Sequence, residues 1–293
     1  MLAYTAKMNA AAARRALAAA ERRERRMARR ADTRADGWRS AIERKVPQKA
    51  AAGIEAAFSK AFALLFESGS GLIERSCRSG EMSALYSVRD SAVDLGSGSA
   101  ELRRLFGGIC RSNLRVTALT SVEGLALGAL GIGLPDIVIF LAVLLRGVYS
   151  TAMGYGFDCA SRREKFFVLK LMQAALSSGE ERRRLGAEID ALMIDCPEPD
   201  EALFKKQMEA AASAFAVDML AVKFIQGLPL IGVIGGAANP VYYRRIAGYA
   251  ELKYRQRYLR GKLNASRAKA AAVPVRDAGI DPGLGGTAHE KLL

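Results

Sequence analysis

Few residues in this chain have the type and spacing to do chemistry. Three carboxylates, Glu123, Asp136 and Asp158, flank or interrupt apolar and Gly-rich segments. Brought together, such acids could share a proton, act as a general acid–base pair or hold a ligand. Helix capping and ion pairing are their plainer roles. Cys77, Cys110, Cys159 and Cys196 are widely spaced, and no C-x-x-C pair exists. That spacing offers neither a zinc ribbon nor a dithiol redox motif. The single histidine, His289, lies near the C-terminus, which excludes a His-based triad and a His-rich metal site. There is no G-x-x-x-x-G-K-[ST] phosphate loop and no G-x-S-x-G elbow. G-x-G pairs at 69–71, 96–98, 131–133 and 154–156 lack the strand–turn–helix setting of a dinucleotide site. The sequence therefore predicts no metal and no cofactor, and a non-enzymatic role. The residual enzymatic reading is a hydrolase built on acids or a free cysteine.

Positioning these residues is a matter of helices. The chain has 293 residues, 51% of them hydrophobic, so it can bury a large core. Its net charge of +14 is uneven. Residues 1–49 and 240–276 each carry a net +9, and the stretch between them is nearly neutral. Two basic ends on a neutral body suggest an anionic partner. A cysteine-poor chain whose start, MLAYTAKMNAAAARRALAAAERRERR, has no apolar leader reads as reduced and intracellular.

No run alternates at period two, so the fold is all-α. Residues 1–36, rich in Ala and Arg, read as a basic helical extension with little to bury, more mobile than the body. After Pro47, the residues Ile54, Phe58, Phe62, Leu65 and Phe66 recur at helical spacing, and GSG at 69–71 ends that helix. Two helices at 81–95 and 99–115 flank the turn LGSGSA. Capping-box spacings stand at Thr120/Glu123, Ser161/Glu164 and Ser178/Glu181. A helix should run from about 200 to 226 after the turn DCPEPD, and another from Pro240 to about 262. Residues 37–262 would form the domain and 263–293 a disordered tail.

The segment GLALGALGIGLPDIVIFLAVLL, residues 124–145, is long and apolar enough for a transmembrane helix. Gly131, Gly133 and Pro135 interrupt its centre, and Asp136 would lie near the bilayer midplane at a cost of ~3 kcal/mol. A hairpin accounts for all four. Gly133 ends one helix, Pro135 opens the next, and Asp136 faces the positive end of the new dipole. Each arm is then ~16 Å from tip to first charge, half a bilayer. Gly124 and Gly128 form a small-residue step for close packing. Glu123 and Arg146 should face each other as an ion pair at the open end. The hairpin is either buried or shallowly inserted, with a true span as the alternative.

Gly227-Leu228-Pro229 repeats the turn Gly133-Leu134-Pro135. In the last helix, Tyr242, Tyr243, Ile246, Tyr249, Ala250 and Tyr254 share one arc. Arg244, Arg245, Arg255, Arg257 and Arg260 read as a basic surface. The arc is either core-facing or a membrane-surface face with tyrosines at headgroup level.

The ordered set GSGLIE (69–74), EGLALGALGIGLPDI (123–137), YGFD (155–158) and GLPLIGVIGGAANPVYYRRI (227–246) resembles the EcsC family of bacterial proteins. The resemblance covers residues 40–262. It implies a helical, membrane-associated protein of a group named for one encoded beside an ABC transporter, with no established activity, cofactor or catalytic residue. Family constraint is expected at Gly69, Gly71, Glu74, Tyr155, Gly156 and Asp158. Gly69, Gly71, Gly124 and Gly156 should serve packing.

The expected function is that of an accessory protein, cytoplasmic and peripheral on the inner face of the plasma membrane. Its basic ends would dock on anionic lipid, and the resemblance adds an ABC transporter component as a partner. Two other readings stand: nucleic-acid binding through the Arg/Tyr-rich ends, and a helical domain that binds a lipid or acyl chain.

Overall fold

The computed structural model describes residues 2–35, 48–77, 79–96, 98–109, 135–225 and 239–271. The fold is all-α: among these residues no strand occurs. In chain order the helices are α1 (Leu2–Ala35), α2 (Gln48–Leu64), α3 (Ser70–Ser76), α4 (Ser79–Leu95), α5 (99–109), α6 (Pro135–Gly154), α7 (Arg162–Leu176), α8 (Gly179–Leu192), α9 (Glu201–Ile225) and α10 (Asn239–Ala271).

Two helices form the centre. Helix α6 packs against α2, α3, α4 and α10, while α10 packs against α1, α6 and α7. Phe58 and Phe62 of α2 close on Phe215 of α9 with ring centroids 5.3 and 5.7 Å apart. Phe140 of α6 bridges Phe215 to Tyr242 of α10. The apolar stripe of α2 thus enters the core: Phe58, Phe62, Leu65 and Phe66 are buried.

Local chemistry sets the helix ends. Ser161 Oγ accepts from the Glu164 N–H at 3.2 Å and starts α7. Asp200 Oδ1 accepts from the Leu203 N–H at 2.7 Å and starts α9. Ser178 makes no side-chain cap on α8, and the Glu181 side chain pairs with Arg184. The GSG at 69–71 does not end a helix. A π-helical turn, Leu65–Gly69, carries α2 directly into α3. Gly69 keeps a right-handed backbone there (φ −98°, ψ −14°), so nothing breaks the run.

Helix α6 begins at Pro135 and continues past Arg146 to Gly154. The expectation of a half-bilayer arm is therefore corrected for this side. Residues 137–154 are long and apolar enough to cross a membrane, yet 89% of that window is buried inside the protein. The rest of the expected hairpin lies outside the described residues: Glu123, Gly124, Gly128, Gly131 and Gly133, with the side chain of Asp136.

The reading of residues 1–36 as having little to bury is also corrected. Ala12, Ala13 and Ala20 are buried, since small side chains let α1 lie close along α10. At the other end α10 runs to Ala271, beyond the expected stop near 262.

Candidate functional site: an internal charge hub and an arginine face

Helix α10 has the sequence of a basic surface and the position of a core helix. Tyr242, Ile246, Tyr249, Tyr254, Tyr258 and Leu259 are buried, and so are Glu251, Lys253 and Gln256. Burial on most sides is possible because neighbouring helices supply acids for its buried cations and for the hydroxyls of Tyr254 and Tyr258. The Tyr242 hydroxyl and Gln256 Oε1 are buried without a hydrogen-bond partner among the described residues. From α9, Asp218 takes Arg245 at 2.8 Å. From α7, Glu164 takes Arg257 through both oxygens, at 2.9 and 2.8 Å. Tyr254 donates to the same carboxylate at 2.6 Å. From α8, Asp190 takes Lys253 at 2.9 Å and Arg260 at 3.4 Å. From α1, Glu24 takes Lys253 at 2.6 Å. From α4, Asp90 accepts from Tyr258 at 2.8 Å and pairs with Lys262 at 2.9 Å. Within α10 itself, Glu251 pairs with Arg255.

The expected basic surface is therefore corrected. Arg245, Arg255, Arg257 and Arg260 are partly buried and engaged with acids, and Arg244 is the exposed member of the set. Rings complete the enclosure. The Arg257 guanidinium lies 4.2 Å from the Phe157 ring centre and 4.6 Å from that of Phe167. Arg255 lies 4.1 Å from Phe106, and Arg182 4.8 Å from Tyr249. Such contacts favour cations that have left water.

The YGFD segment closes α6 onto this hub. The Phe157 N–H donates to the Ala152 carbonyl at 3.0 Å and the Gly156 N–H to Met153 at 2.9 Å. This is a Schellman turn, with Gly156 at its left-handed position, φ +83°. A Cβ there would also lie 2.3 Å from Cζ of Tyr86, so the glycine serves both backbone and packing. Tyr155 donates to Glu251 at 3.1 Å. Burial pushes its phenol well up, Glu251 pushes it further, and Arg255 opposes them. Phe157 packs on Tyr254. Asp158 Oδ1 accepts from the Ala160 N–H at 3.0 Å on the exposed side of the turn. Asp158 is thus held by its own loop.

In GSGLIE, Glu74 stands 4.0 Å from Lys165. A Cβ on Gly69 would meet Leu65 at 3.3 Å, whereas one on Gly71 would meet nothing within 4 Å. The packing role expected of Gly71 is corrected accordingly. Arg146 is buried, and its expected partner Glu123 is outside the described residues. Cys77, Cys159 and Cys196 are buried free thiols. Burial drives the Cys159 thiol well up, and Glu164 adds to the shift, the reverse of what a nucleophile needs.

Helix α1 supplies the exposed charge. Ala12, Ala13 and Ala20 face the body, and Arg23 reaches Glu251 at 3.0 Å. Arg14, Arg15, Arg22, Arg25 and Arg26 are exposed on the opposite arc. Of the two acids between Arg14 and Arg30, Glu24 points inward to Lys253, and Glu21 lies at the edge of that arc, one turn before Arg25. Sequence reading found the charge of both ends but read Glu164 only as a capping-box residue and missed Asp190, Asp218 and Lys253, whose partners are distant in the chain.

The model of the EcsC protein family matches residues 11–259, from within α1 to within α10. The chain is similar to Protein EcsC of Bacillus subtilis (strain 168), at 28% identity over 136 residues, 45% of this chain and 53% of that protein. It thus spans about half the length of the curated relative it matches. No solved structure matches it. With 11–259 matched, this chain belongs to the EcsC protein family.

Proposed function

We propose that this protein is a non-enzymatic accessory that sits peripherally on an anionic, cytoplasmic membrane surface, with the outer face of α1 as its docking element. The observation that carries the reading is the row of exposed arginines from Arg14 to Arg26, ~18 Å long, with Glu24 turned inward and a single acid, Glu21, at its edge. Each such cation near anionic lipid contributes about 1 kcal/mol, screened within a Debye length. Several acting together suffice for reversible attachment. The apolar helix α6 is enclosed by protein, which supports surface docking over insertion. The partnership with an ABC transporter component belongs to this proposal through family membership alone. Burial of the α10 tyrosines weighs against their stacking on bases.

Sedimentation with vesicles containing phosphatidylglycerol tests the reading. The full chain should pellet at low salt and be released by high salt. Replacing Arg14, Arg15, Arg22, Arg25 and Arg26 together by Gln should abolish pelleting while leaving the helical circular dichroism unchanged. Release only by detergent would overturn surface docking in favour of insertion. Failure to pellet, with RNA co-purifying, would replace the membrane with nucleic acid.

A further inference from the structure

We propose that a cleft beside α1, about 610 Å³ in volume, binds one phosphate-bearing amphiphile, a single anionic phospholipid. The volume lies in the ~300–1,000 Å³ range of small-molecule sites. The proposal goes beyond surface docking, because the site holds one molecule and does so whether or not a bilayer is present.

The floor of the cleft is aromatic. Tyr86, Tyr155, Phe157 and Tyr258 line it, with the Tyr155 and Tyr258 rings 5.9 Å apart. The hydroxyls of these two tyrosines already donate to Glu251 and Asp90, so the rings are what remain for a ligand. One wall is cationic. Arg260, Asn264 and Arg267 line the cleft and, four and three residues apart, share one face of α10.

The acids nearby leave this wall in surplus. Asp90, which also lines the cleft, is matched by Lys262 at 2.9 Å. Asp190 stands closer to Lys253, at 2.9 Å, than to Arg260, at 3.4 Å. Arg260's other contact is the Met193 sulfur. Arg267 is exposed and makes no ion pair among the described residues. An oxyanion between Arg260 and Arg267 would gain charge-assisted hydrogen bonds, competing at Arg260 with the 3.4 Å contact to Asp190.

The cleft also has apolar lining: Leu17, Met193 and Ile194, with Met193 against Arg260 and Ile194 85% exposed. Cations and uncovered aliphatic groups around one aromatic floor match a phosphate that carries an acyl chain. An inorganic anion would use only the first.

The test is calorimetric titration of the full chain with dihexanoyl phosphatidylglycerol below its micelle threshold, beside dihexanoyl phosphatidylcholine and inorganic phosphate. Phosphatidylglycerol should bind saturably and more tightly than either control. Arg267→Glu, at an exposed and unpaired position, should weaken binding at least about tenfold. Ile194→Ser should weaken it for the lipid and leave any affinity for inorganic phosphate unchanged. Arg26→Gln, on the outer arc of α1, should change nothing, which separates this site from the docking face. No saturable binding, or an Arg267→Glu variant that binds like the parent chain, overturns the proposal. Inorganic phosphate binding as tightly as the lipid overturns the amphiphile. Vesicle docking can fail while this titration succeeds, so each reading falls on its own result.

Discussion

Helices α6 and α10 share the centre of the protein and meet there by opposite means. Residues 137–154 of α6 form an apolar rod, 89% buried, needing only neighbours of the right shape. Helix α10 is built of Tyr, Arg, Lys and Glu and reaches the same depth, with Lys253 fully buried. The first is held by close packing and exclusion of water. The second needs partners for its buried charges, and those partners arrive from α1, α4, α7, α8 and α9. Where the two helices touch, Gly147 of α6 receives the Tyr243 ring: a Cβ would stand 2.7 Å from it. An apolar centre tolerates exchange among apolar shapes. A charged centre is specific, because removing one member strands another.

Alkaline titration acts on the whole of this contrast and has the largest expected effect. Burial raises the phenols of Tyr242, Tyr249, Tyr254 and Tyr258 on α10 above the ordinary 10.0. Tyr86 is raised to about 12 by burial and then by Asp90. A phenol that holds its proton more tightly when folded stabilises the fold fully below pH 10.0. That stabilisation is lost as pH climbs through the folded value. Tyrosinate absorbance and helical circular dichroism should therefore change together in one step above pH 10.0. Phenols that titrate one by one while helicity persists would mean α10 is not held as described.

Next in size is Glu164→Ala. It leaves Arg257 largely buried without its carboxylate, a loss of about 3–5 kcal/mol in chemical denaturation. Glu164→Gln combined with Arg257→Met should recover part of it, since the stranded charge is gone. In α6, Leu145→Ala should cost about 2–5 kcal/mol through the cavity it leaves. Leu145→Met, which keeps the volume, should cost less than about 1.5 kcal/mol. A Met variant as damaging as the Ala variant would erase the distinction between the two helices.

Gly156→Ala should cost about 1–2 kcal/mol for the left-handed backbone alone, plus the clash with Tyr86. Adding Tyr86→Ala should remove the clash and leave the backbone cost, a coupling that a double-mutant cycle reads directly. The smallest effect is expected on the outer arc of α1, where Arg26→Gln should shift stability by no more than ~0.5 kcal/mol. A larger shift would place that side chain in the fold rather than on a docking face.

Much of this was legible beforehand where the signal is local. The stripe Phe58–Phe62–Leu65–Phe66 and the Ser161 cap follow from spacing and from hydrogen bonds three residues long. So does the turn before α9, although Asp200 as its cap was not singled out. The candidate site was legible only in part. YGFD stood out as a motif, but its link to Tyr86 and Glu251 spans most of the chain. The basic C-terminal stretch misled, because composition counts charges and does not show which are already matched. Glu251 and Arg255, four residues apart, were the one local sign that α10 meets its own charges.

The sequence by itself determined an all-helical chain, its family, an apolar helix opening at Pro135 and an excess of arginine in α1, because periodicity, caps and composition act over a few residues. Only the tertiary structure decided that α6 lies within protein and that α10's cations at 245, 253, 255, 257 and 260 are engaged from within while α1's outer arginines face water. Which charges remain for a partner depends on contacts between residues such as Lys253 and Asp190 that no local pattern encodes.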